Sequence, residues 1–569
     1  MLVPKLVTTL KTYNKTLFFS DVSSGIIVGI VALPLAIAFG IASGVSPNNG
    51  LITAVIAGFI ISALGGSRVQ IGGPTGAFIV IVYGIVQKYG MDGLMIATIM
   101  AGVMLVLMGF MKLGTLIKFI PLPIITGFTS GIALIIFTTQ IKDLLGLKIA
   151  ELPSEFLAKI PVYTSSISSF NIDTIIVSVI SLCIIIFLGR FIKKIPSTFI
   201  ALILGTLIVY FFGLNVETIS SRFGELSSSI PAPRIPVITF DTIYNLAGPA
   251  FTIAILGAIE SLLSAVVADG MIGGRHRSNM ELIANGAANI ITPFFGGIPA
   301  TGAIARTVTN IRNGGKTPVA GMIHAVVLLL IMLFFGQYAG MIPLCVLASI
   351  LVVVAYNMSE WREFKAQLKM PKSDVIVLLT TFFLTVIFDL TIAIEVGMVL
   401  SAMLFMKRMA EVTNVGVINR EFDESGEADD TGVNSIQGKN IPKGVIIYEI
   451  NGPFFFGAAS KFKEAIRIVG KTTKVLILRL RNVPAIDSTG IATLEDFCYD
   501  CKKNSTVLIL SGIHAQPMFA SERAGLLEKI GDDNIRGNID DALNRAREIL
   551  GLPREEVTAE KESSVEKQG

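Results

Sequence analysis

Long apolar blocks dominate the first 400 residues of this chain. Segments of about 17 to 25 residues that are almost free of charge recur from Asp21 to about Met406, and a helix of that length crosses the roughly 30 Å hydrocarbon layer of a bilayer. From Lys443 onward, short β-rich runs alternate with helical patterns. The runs are at 445–450, 475–480 and 507–510, and the helical patterns are at 458–469, 488–502, 516–529 and 539–550. We predict a polytopic α-helical membrane protein with a soluble α/β sandwich after it.

Composition supports the same division. The 569 residues are 52% hydrophobic and only 15% charged, with a mean hydropathy of +0.72, whereas soluble chains carry about 25% charged residues. This excludes a soluble multidomain enzyme. Residues 1–411 hold 26 basic and 18 acidic residues, and residues 412–569 hold 20 and 24. We therefore expect a membrane domain at 1–411, a linker at 412–442, a soluble domain at 443–552 and a charged, disordered tail at 553–569.

Basic residues predict the orientation. Lys5, Lys11 and Lys15 precede the first span, and Lys407 and Arg408 end the last one. Because basic residues near span ends are retained in the cytoplasm, both termini are expected there, which requires an even number of spans. We expect about fourteen segments, at 22–43, 49–65, 73–87, 93–111, 115–141, 172–189, 197–213, 247–267, 280–294, 301–311, 318–336, 342–356, 373–389 and 391–408.

Two short segments resemble each other in corresponding positions of the two halves, 22–213 and 247–408. Thr75-Gly76-Ala77 and Thr301-Gly302-Ala303 both follow a proline and precede an apolar run. Seven spans separate them, so the second half would be inserted upside down, and such paired Gly/Pro interruptions indicate a transporter's binding site. Half-helices that start at mid-membrane direct free N–H groups towards an anion. The alternative is that these glycines only permit close packing.

Four further residues are candidates for the same site. Arg306, one turn after Gly302, would add a positive charge, unless it only reaches the interface as an end-of-helix arginine. Glu260 lies within the eighth span, with Ser264 one turn beyond it. Its carboxylate would take up a proton, coordinate sodium or pair with Arg306. Phe39, one turn after Leu35 in the first span, would wall the pocket, or else face lipid or fill the core.

These motifs together resemble the SulP family of anion transporters, solute carrier family 26. The residues concerned are Leu33-Pro34, Ala38-Phe39, the two Thr-Gly-Ala starts, Glu260-Ser261-Leu262-Leu263, and Ala305-Arg306-Thr307 with Asn310. The resemblance covers nearly the whole chain. It implies two inverted repeats of seven segments, with a core of segments 1–4 and 8–11 that moves against a gate of 5–7 and 12–14.

The resemblance also implies site roles. The anion would be surrounded by Phe39, Arg306 and the two Thr-Gly-Ala starts, Thr75, Gly76, Ala77, Thr301, Gly302 and Ala303. Ala77 and Ala303 would contribute their backbone amides, and Glu260 with Ser264 would form the coupling path. Leu35 stands where some animal members have a polar residue. Sodium-dependent bicarbonate members typically lack an arginine at the place of Arg306 and carry hydroxyl ligands where Ile304 stands, which weakens that interpretation.

We therefore expect a secondary active transporter of inorganic anions, with sulfate as the leading cargo, proton coupling and elevator-type alternating access. The alternatives are a bicarbonate or C4-dicarboxylate carrier, sodium coupling, or an uncoupled anion channel. No enzymatic activity, cofactor, metal or nucleic-acid partner is expected. The protein would be a homodimer, by resemblance only, and a multi-pass protein of the inner (plasma) membrane.

The soluble part resembles a STAS domain in its size and in the Asp487-Ser488-Thr489-Gly490 turn after its second strand. In antagonist relatives the serine of this turn is phosphorylated, and Ser488 matches it. The favoured alternative is that Asp487 and Ser488 only cap the next helix. Cys498 and Cys501 form a C-x-x-C without a second pair, which we interpret as two packed thiols rather than a metal or redox site.

Two further classes of protein are alternatives to an anion carrier. A membrane-bound signalling protein would depend entirely on residues 412–569, whereas a carrier would keep substrate binding in 1–411. A uracil or xanthine permease has the same architecture but recognises a neutral base through acidic residues at the half-helices. Arg306 stands there instead, which disfavours such a permease.

Overall fold

The computed structural model describes residues 2–115, 121–149, 152–153, 155–188, 196–224, 228–236, 239–388, 390–418, 439–466 and 473–555. The chain divides into two compact units, Met1–Ser401 and Ala402–Gly569. Most of the expected linker, at 419–438, and the tail residues 556–569 lie outside the described residues.

The first unit is helical. Its helices, with the last one ending in the second unit, are α1 (Lys5–Leu10), α2 (Lys15–Ala42), α3 (Pro47–Leu64), α4 (Ile79–Phe110), α5 (Leu122–Leu145), α6 (Phe156–Ser166), α7 (Ile172–Cys183), α8 (Ser197–Phe212), α9 (Ile219–Phe223), α10 (Phe240–Ile272), α11 (Ser278–Ile291), α12 (Ile304–Arg312), α13 (Pro318–Ala339), α14 (Leu344–Met358), α15 (Trp361–Gln367), α16 (Lys372–Ile387) and α17 (Leu390–Val412). Each of the fourteen predicted segments falls on one of these helices. Within the described residues, seven helices are individually long and apolar enough to cross a membrane.

Two breaks lie between or beside the predicted segments. Helix α4 contains most of the predicted segments 73–87 and 93–111, and it breaks between them at Gly90, with φ +67° and ψ −170°. Glycine adopts this backbone conformation without steric cost. A bend of 112° separates two neighbouring helical stretches. The first is α6 with the turn that follows it, and the second is α7 with its continuation to Leu188.

Polar residues at the helix starts explain where several spans begin. Asn14 Oδ1 accepts a hydrogen bond of 2.9 Å from the Leu17 amide at the start of α2. Thr317 caps α13, and Pro318 occupies its first turn, where the missing N–H costs nothing. The buried Asp21 carboxylate of α2 accepts hydrogen bonds from the amides of Lys316 and Thr317 at 2.9 and 3.2 Å. The first span is thereby fixed to the start of α13.

Small residues allow a close contact between α4 and α11. A Cβ added at Gly102 of α4 would lie 2.7 Å from the Gly286 carbonyl oxygen of α11, and the reverse distance is 2.6 Å. Both distances are shorter than a Cβ atom can approach an oxygen without a steric clash. The two backbones therefore touch directly, as is common where transmembrane helices pack through small residues.

The second unit contains a five-stranded sheet with the order β3–β4–β5–β6–β7, formed by Asn414–Ile418, Val445–Asn451, Val475–Asn482, Val507–Ser511 and Ile535–Arg536. Strand β3 is antiparallel to β4, and the other pairs are parallel. The helices are α18 (Phe456–Ile466), α19 (Ser488–Lys503), α20 (Ala515–Arg523), α21 (Leu526–Ile530) and α22 (Ile539–Ile549).

Apolar residues of α18, α19 and α21 fill one face of the sheet, and those of α22 fill the other. This is the predicted α/β sandwich. One expectation needs correction, because strand β3 lies inside the expected linker 412–442. Its partner β4 begins 27 residues after it ends, and a five-residue run with so distant an antiparallel partner has no local turn signal to identify it.

Candidate functional site

The two Thr-Gly-Ala segments meet. Strand β1 (Gly72–Gly73) pairs antiparallel with β2 (Thr301–Gly302), with Gly72 opposite Gly302 and Gly73 opposite Thr301. Neither segment is continuous with a preceding helix. A 3-10 turn at Gly76–Phe78 begins the first half-helix, which continues as α4, and α12 begins the second at Ile304.

The nine residues of α12 extend about 14 Å, which is about half of the hydrocarbon thickness. Both starts are extended backbone, because Thr75 and Ala303 have β-region dihedral angles. The first N–H groups of each half-helix therefore have no carbonyl of their own helix to donate to.

A cavity of about 340 Å³ lies at these two starts. It is mostly apolar, with a few polar side chains. Its lining comprises Leu35, Phe39, Thr75, Gly76, Ile124, Ile125, Phe128, Thr129, Leu256, Ile259, Glu260, Leu263, Ala303, Ile304, Ala305, Arg306, Val354, Asn357, Met358, Glu360, Ile394 and Met398. This combination is typical of a site for a small ligand.

Arg306 is the largest fully buried side chain of the described residues, at 2% exposure. One guanidinium nitrogen, Nη2, donates a hydrogen bond to the Pro74 carbonyl oxygen just before the first half-helix. The other, Nη1, has no hydrogen-bond partner among the described residues. A buried charged donor without a partner is costly, so Nη1 keeps an unused capacity to donate a hydrogen bond.

Glu260 of α10 faces the same cavity. Its Oε2 accepts a hydrogen bond of 2.7 Å from the Thr75 hydroxyl. Within the described residues no ion pair joins Glu260 to Arg306. Of the three roles considered for this carboxylate, direct pairing with Arg306 is therefore not the one that the geometry presents.

Phe39 is 5% exposed and lines the cavity. A Cβ added at Gly76 would lie 3.7 Å from its Cε1 atom, so the ring packs beside the start of the first half-helix. Phe39 therefore faces neither lipid nor a remote part of the core.

Four of the expected site residues lie behind the cavity wall. Ala77 is buried and is not among the residues that line the cavity. The Thr301 hydroxyl donates to the Gly257 carbonyl oxygen at 2.8 Å, and the Ser264 hydroxyl donates to Thr307 Oγ1 at 3.2 Å. A Cβ at Gly302 would lie 1.6 Å from Gln70 Nε2. These residues hold the two starts in place rather than line the cavity.

The Ala303 amide differs from its expected role. Although Ala303 lines the cavity, its N–H donates to the Ile71 carbonyl oxygen at 2.8 Å. That hydrogen bond continues the β1–β2 pairing, and the sequence alone could not reveal it. The free amides of the second half-helix are those of Ile304 and the residues after it.

Several polar residues near the site were not predicted from the sequence. Thr129, Asn357 and Glu360 line the cavity from α5 and from the end of α14. Glu281 of α11 is fully buried and accepts hydrogen bonds from the amides of Gly66 and Ser67 at 2.7 and 2.9 Å. Asn357 and Glu281 both interrupt apolar segments, which was a usable signal.

In the second unit, Asp487 Oδ1 accepts a hydrogen bond of 2.7 Å from the Gly490 amide and so caps α19. Ser488 is the exposed first residue of that helix. Cys498 and Cys501 are buried at 4% and 5% exposure, and burial raises the pKa of Cys501 to about 12. Among the described residues, no group of three or more His, Cys, Asp or Glu side chains is arranged to hold a metal ion.

Comparisons with known proteins agree with this architecture. The sequence model of the "Sulfate permease family" matches residues 18–381, and that of the "STAS domain" matches residues 439–542. A putative sulfate transporter of Bacillus subtilis, YvdB, is 43% identical over 523 residues, which are 92% of this chain and 96% of the relative. The bicarbonate transporter BicA of Picosynechococcus sp. is 28% identical over 94% of this chain and 95% of its own length.

Two solved structures are similar. The transmembrane domain of a cyanobacterial bicarbonate transporter BicA matches with a TM-score of 0.61 and 30% identity, covering 68% of this chain and 98% of that one. The murine solute carrier 26 family member A9 anion transporter, in its inward-facing state, matches with a TM-score of 0.85 and 21% identity. It covers 96% of this chain and 94% of its own, and at that identity the likeness concerns the fold.

Proposed function

Because this chain belongs to the sulfate permease family of anion transporters and ends in a STAS domain, we propose that it is a proton-coupled carrier of sulfate. The anion would bind in the 340 Å³ cavity between the two half-helix starts. The protein is a multi-pass membrane transporter and not an enzyme.

The buried guanidinium of Arg306 supports the proposal most directly. Its Nη2 is engaged with Pro74, whereas its Nη1 has no partner among the described residues. A sulfate oxygen would accept a charge-assisted hydrogen bond from Nη1. The free amides of the two half-helix starts, at Gly76 and Ile304, would contribute further donors and the positive ends of two helix dipoles.

Glu260 supplies a physical reason for proton coupling. Sulfate brings two negative charges to a site with one arginine, and an ionised Glu260 adds a third on the same cavity wall. A proton on Glu260 removes that repulsion. Proton binding and anion binding therefore favour each other, and by linkage each strengthens the other equally.

The two walls of the cavity suggest how the anion would move. The cavity is lined from the segments expected in the core by Phe39, Gly76, Glu260 and Arg306. It is lined from the segments expected in the gate by Phe128, Val354 and Met398. A rigid-body displacement of one set against the other would carry the site across the membrane. We propose this elevator-type movement, with inverted repeats and a homodimer as further parts of the proposal.

Bicarbonate is the second candidate, because BicA proteins are among the relatives. Arg306 favours sulfate over it, since a buried guanidinium suits a divalent tetrahedral anion that accepts several hydrogen bonds. A C4-dicarboxylate carrier or an uncoupled anion channel would use the same cavity. We place the protein in the inner (plasma) membrane with both termini cytoplasmic, from the basic residues at both ends of the membrane part.

Uptake of labelled sulfate into liposomes containing the purified protein tests the function. Bicarbonate, fumarate and chloride serve as competitors, under an imposed proton or sodium gradient. We expect an inward proton gradient to drive sulfate accumulation and unlabelled sulfate to compete best. Accumulation of bicarbonate driven by sodium alone would replace the proposal with the second candidate, and flux that no gradient can concentrate would indicate a channel.

A further inference from the structure

A second cavity, separate from the anion site, lies in the first unit. It measures about 540 Å³ and is walled by α5, α14, α15 and α16. We name it the aromatic cavity. Its lining is Ser130, Ala133, Leu134, Phe137, Val352, Ala355, Tyr356, Ser359, Trp361, Phe364, Leu379, Phe382 and Phe383. Its volume falls within the range of about 300–1,000 Å³ that is typical of sites for organic ligands.

Aromatic rings form a continuous contact chain along its wall. Trp361 stacks on Phe364 with a centroid distance of 6.2 Å and an interplanar angle of 10°. Phe364 meets Phe382 edge-on at 5.4 Å, and Phe382 meets Phe383 at 5.3 Å. Trp361 and Phe383 remain 59% and 52% exposed. The wall is therefore ordered by its own contacts while its apolar surface stays open to an apolar ligand.

Basic residues stand beside this cavity. Arg362, Lys365, Lys369 and Lys372 follow Trp361 within eleven residues and are all exposed. None of them forms an ion pair with a described carboxylate. The acids of the same stretch include Glu363, which accepts a hydrogen bond of 3.3 Å from Gln367 Nε2, and Asp374, which is bonded to Ser373 at 3.3 Å.

We propose that the aromatic cavity binds one acyl chain of an anionic phospholipid, whose phosphate contacts the neighbouring basic residues. The cavity lies among helices that are expected to cross the membrane, and tryptophan prefers the level of the headgroups. Clusters of lysine and arginine directly beside a span attract anionic headgroups. An uncharged lipid would fill the apolar cavity but would not neutralise the neighbouring basic side chains. An anionic phospholipid is therefore favoured.

Trp361 is the single tryptophan of the chain, so its fluorescence reports on this cavity alone. The full-length protein in neutral detergent is titrated with phosphatidylglycerol or phosphatidylcholine, each carrying bromine on its acyl chains, and tryptophan fluorescence is followed. We expect half-maximal quenching at a mole fraction at least about threefold lower for phosphatidylglycerol. Equal quenching by the two lipids would overturn the proposal.

Matched variants locate the headgroup. Lys365→Gln with Lys369→Gln should remove the preference for phosphatidylglycerol, whereas Lys11→Gln with Lys15→Gln, an equally exposed pair near the N-terminus, should preserve it. Loss of the preference in both pairs would indicate general charge attraction and contradict the proposal. Emission that shifts with protein concentration and is quenched by neither lipid would show instead that a second copy of the chain covers the cavity.

Discussion

The guanidinium of Arg306, at the start of the second half-helix, donates a hydrogen bond to the carbonyl oxygen of Pro74, just before the first. The two residues are 232 positions apart in the chain. One buried side chain thus joins the two half-helix starts while its Nη1 stays without a partner among the described residues. The structural contact and the proposed anion contact therefore belong to the same residue.

Replacement of this arginine should weaken anion binding strongly. Arg306→Ala removes a charge-assisted hydrogen bond of about 1.5–3 kcal/mol, which corresponds to roughly a 10- to 150-fold loss of apparent sulfate affinity in liposome uptake. The matched control is Arg312→Ala, because Arg312 is exposed at the end of the same helix. Equal losses in the two variants would remove Arg306 from the site.

The position of the guanidinium depends on a glycine. Gly73 has φ +147°, and a Cβ there would lie 2.4 Å from Arg306 Nη1. Gly73→Ala should therefore displace Arg306 and reduce sulfate affinity by about tenfold or more while the transporter still inserts in the membrane. Gly84→Ala is the control, since no atom lies within 4 Å of the added Cβ. If Gly73→Ala binds sulfate as the original chain does, Arg306 does not need its observed position.

Proton coupling should depend on Glu260. Glu260→Gln keeps an acceptor for the Thr75 hydroxyl, which bonds Glu260 at 2.7 Å, but cannot gain or lose a proton. We expect sulfate exchange to persist and accumulation driven by a proton gradient to disappear. Both are measured in the same liposomes, with external labelled sulfate against internal unlabelled sulfate for exchange. Accumulation that remains fully proton-driven would exclude Glu260 as the coupling residue.

The C-x-x-C pair should behave as packing residues. Burial raises the pKa of Cys498 and raises that of Cys501 to about 12, so the neutral thiol is favoured in the folded state at neutral pH. Folded protein then holds these protons at a pH where unfolded protein has lost them, so stability falls as pH rises from about 9 towards 12. Alkylation at pH 7.5, read by peptide mass spectrometry, should be slow until the protein is denatured. Rapid labelling of native Cys501 would contradict the buried-thiol assignment.

The sequence predicted the fourteen segments well, because long charge-free runs are a strong signal in membrane proteins. It also indicated both half-helix starts, Glu260 and Arg306, since glycine, proline and ionisable residues stand out in such runs. The break at Gly90 lies in the gap between the predicted segments 73–87 and 93–111, whereas the strand Asn414–Ile418 was not predicted. A single strand far from its partner in the chain leaves little local pattern.

The details of the site were harder to predict. Thr75 and Thr301 occupy equivalent places in the sequence, yet Thr75 bonds to Glu260 and lines the cavity, whereas Thr301 bonds to the Gly257 carbonyl. Tertiary contacts separate the two roles, and the tripeptides contain no sign of them. In the same way, the Ala303 amide is occupied by Ile71 because the two starts pair as strands, which no periodicity reveals.

The location of a bound anion tests the central claim most directly. Selenate has the shape and charge of sulfate and an anomalous scatterer at its centre, so a crystal of the full-length protein soaked in selenate locates the anion without ambiguity. We predict a selenium peak in the 340 Å³ cavity, with an oxygen within hydrogen-bonding distance of Arg306 Nη1 and others facing the Gly76 and Ile304 amides. A peak elsewhere, in protein that transports sulfate, would contradict the account.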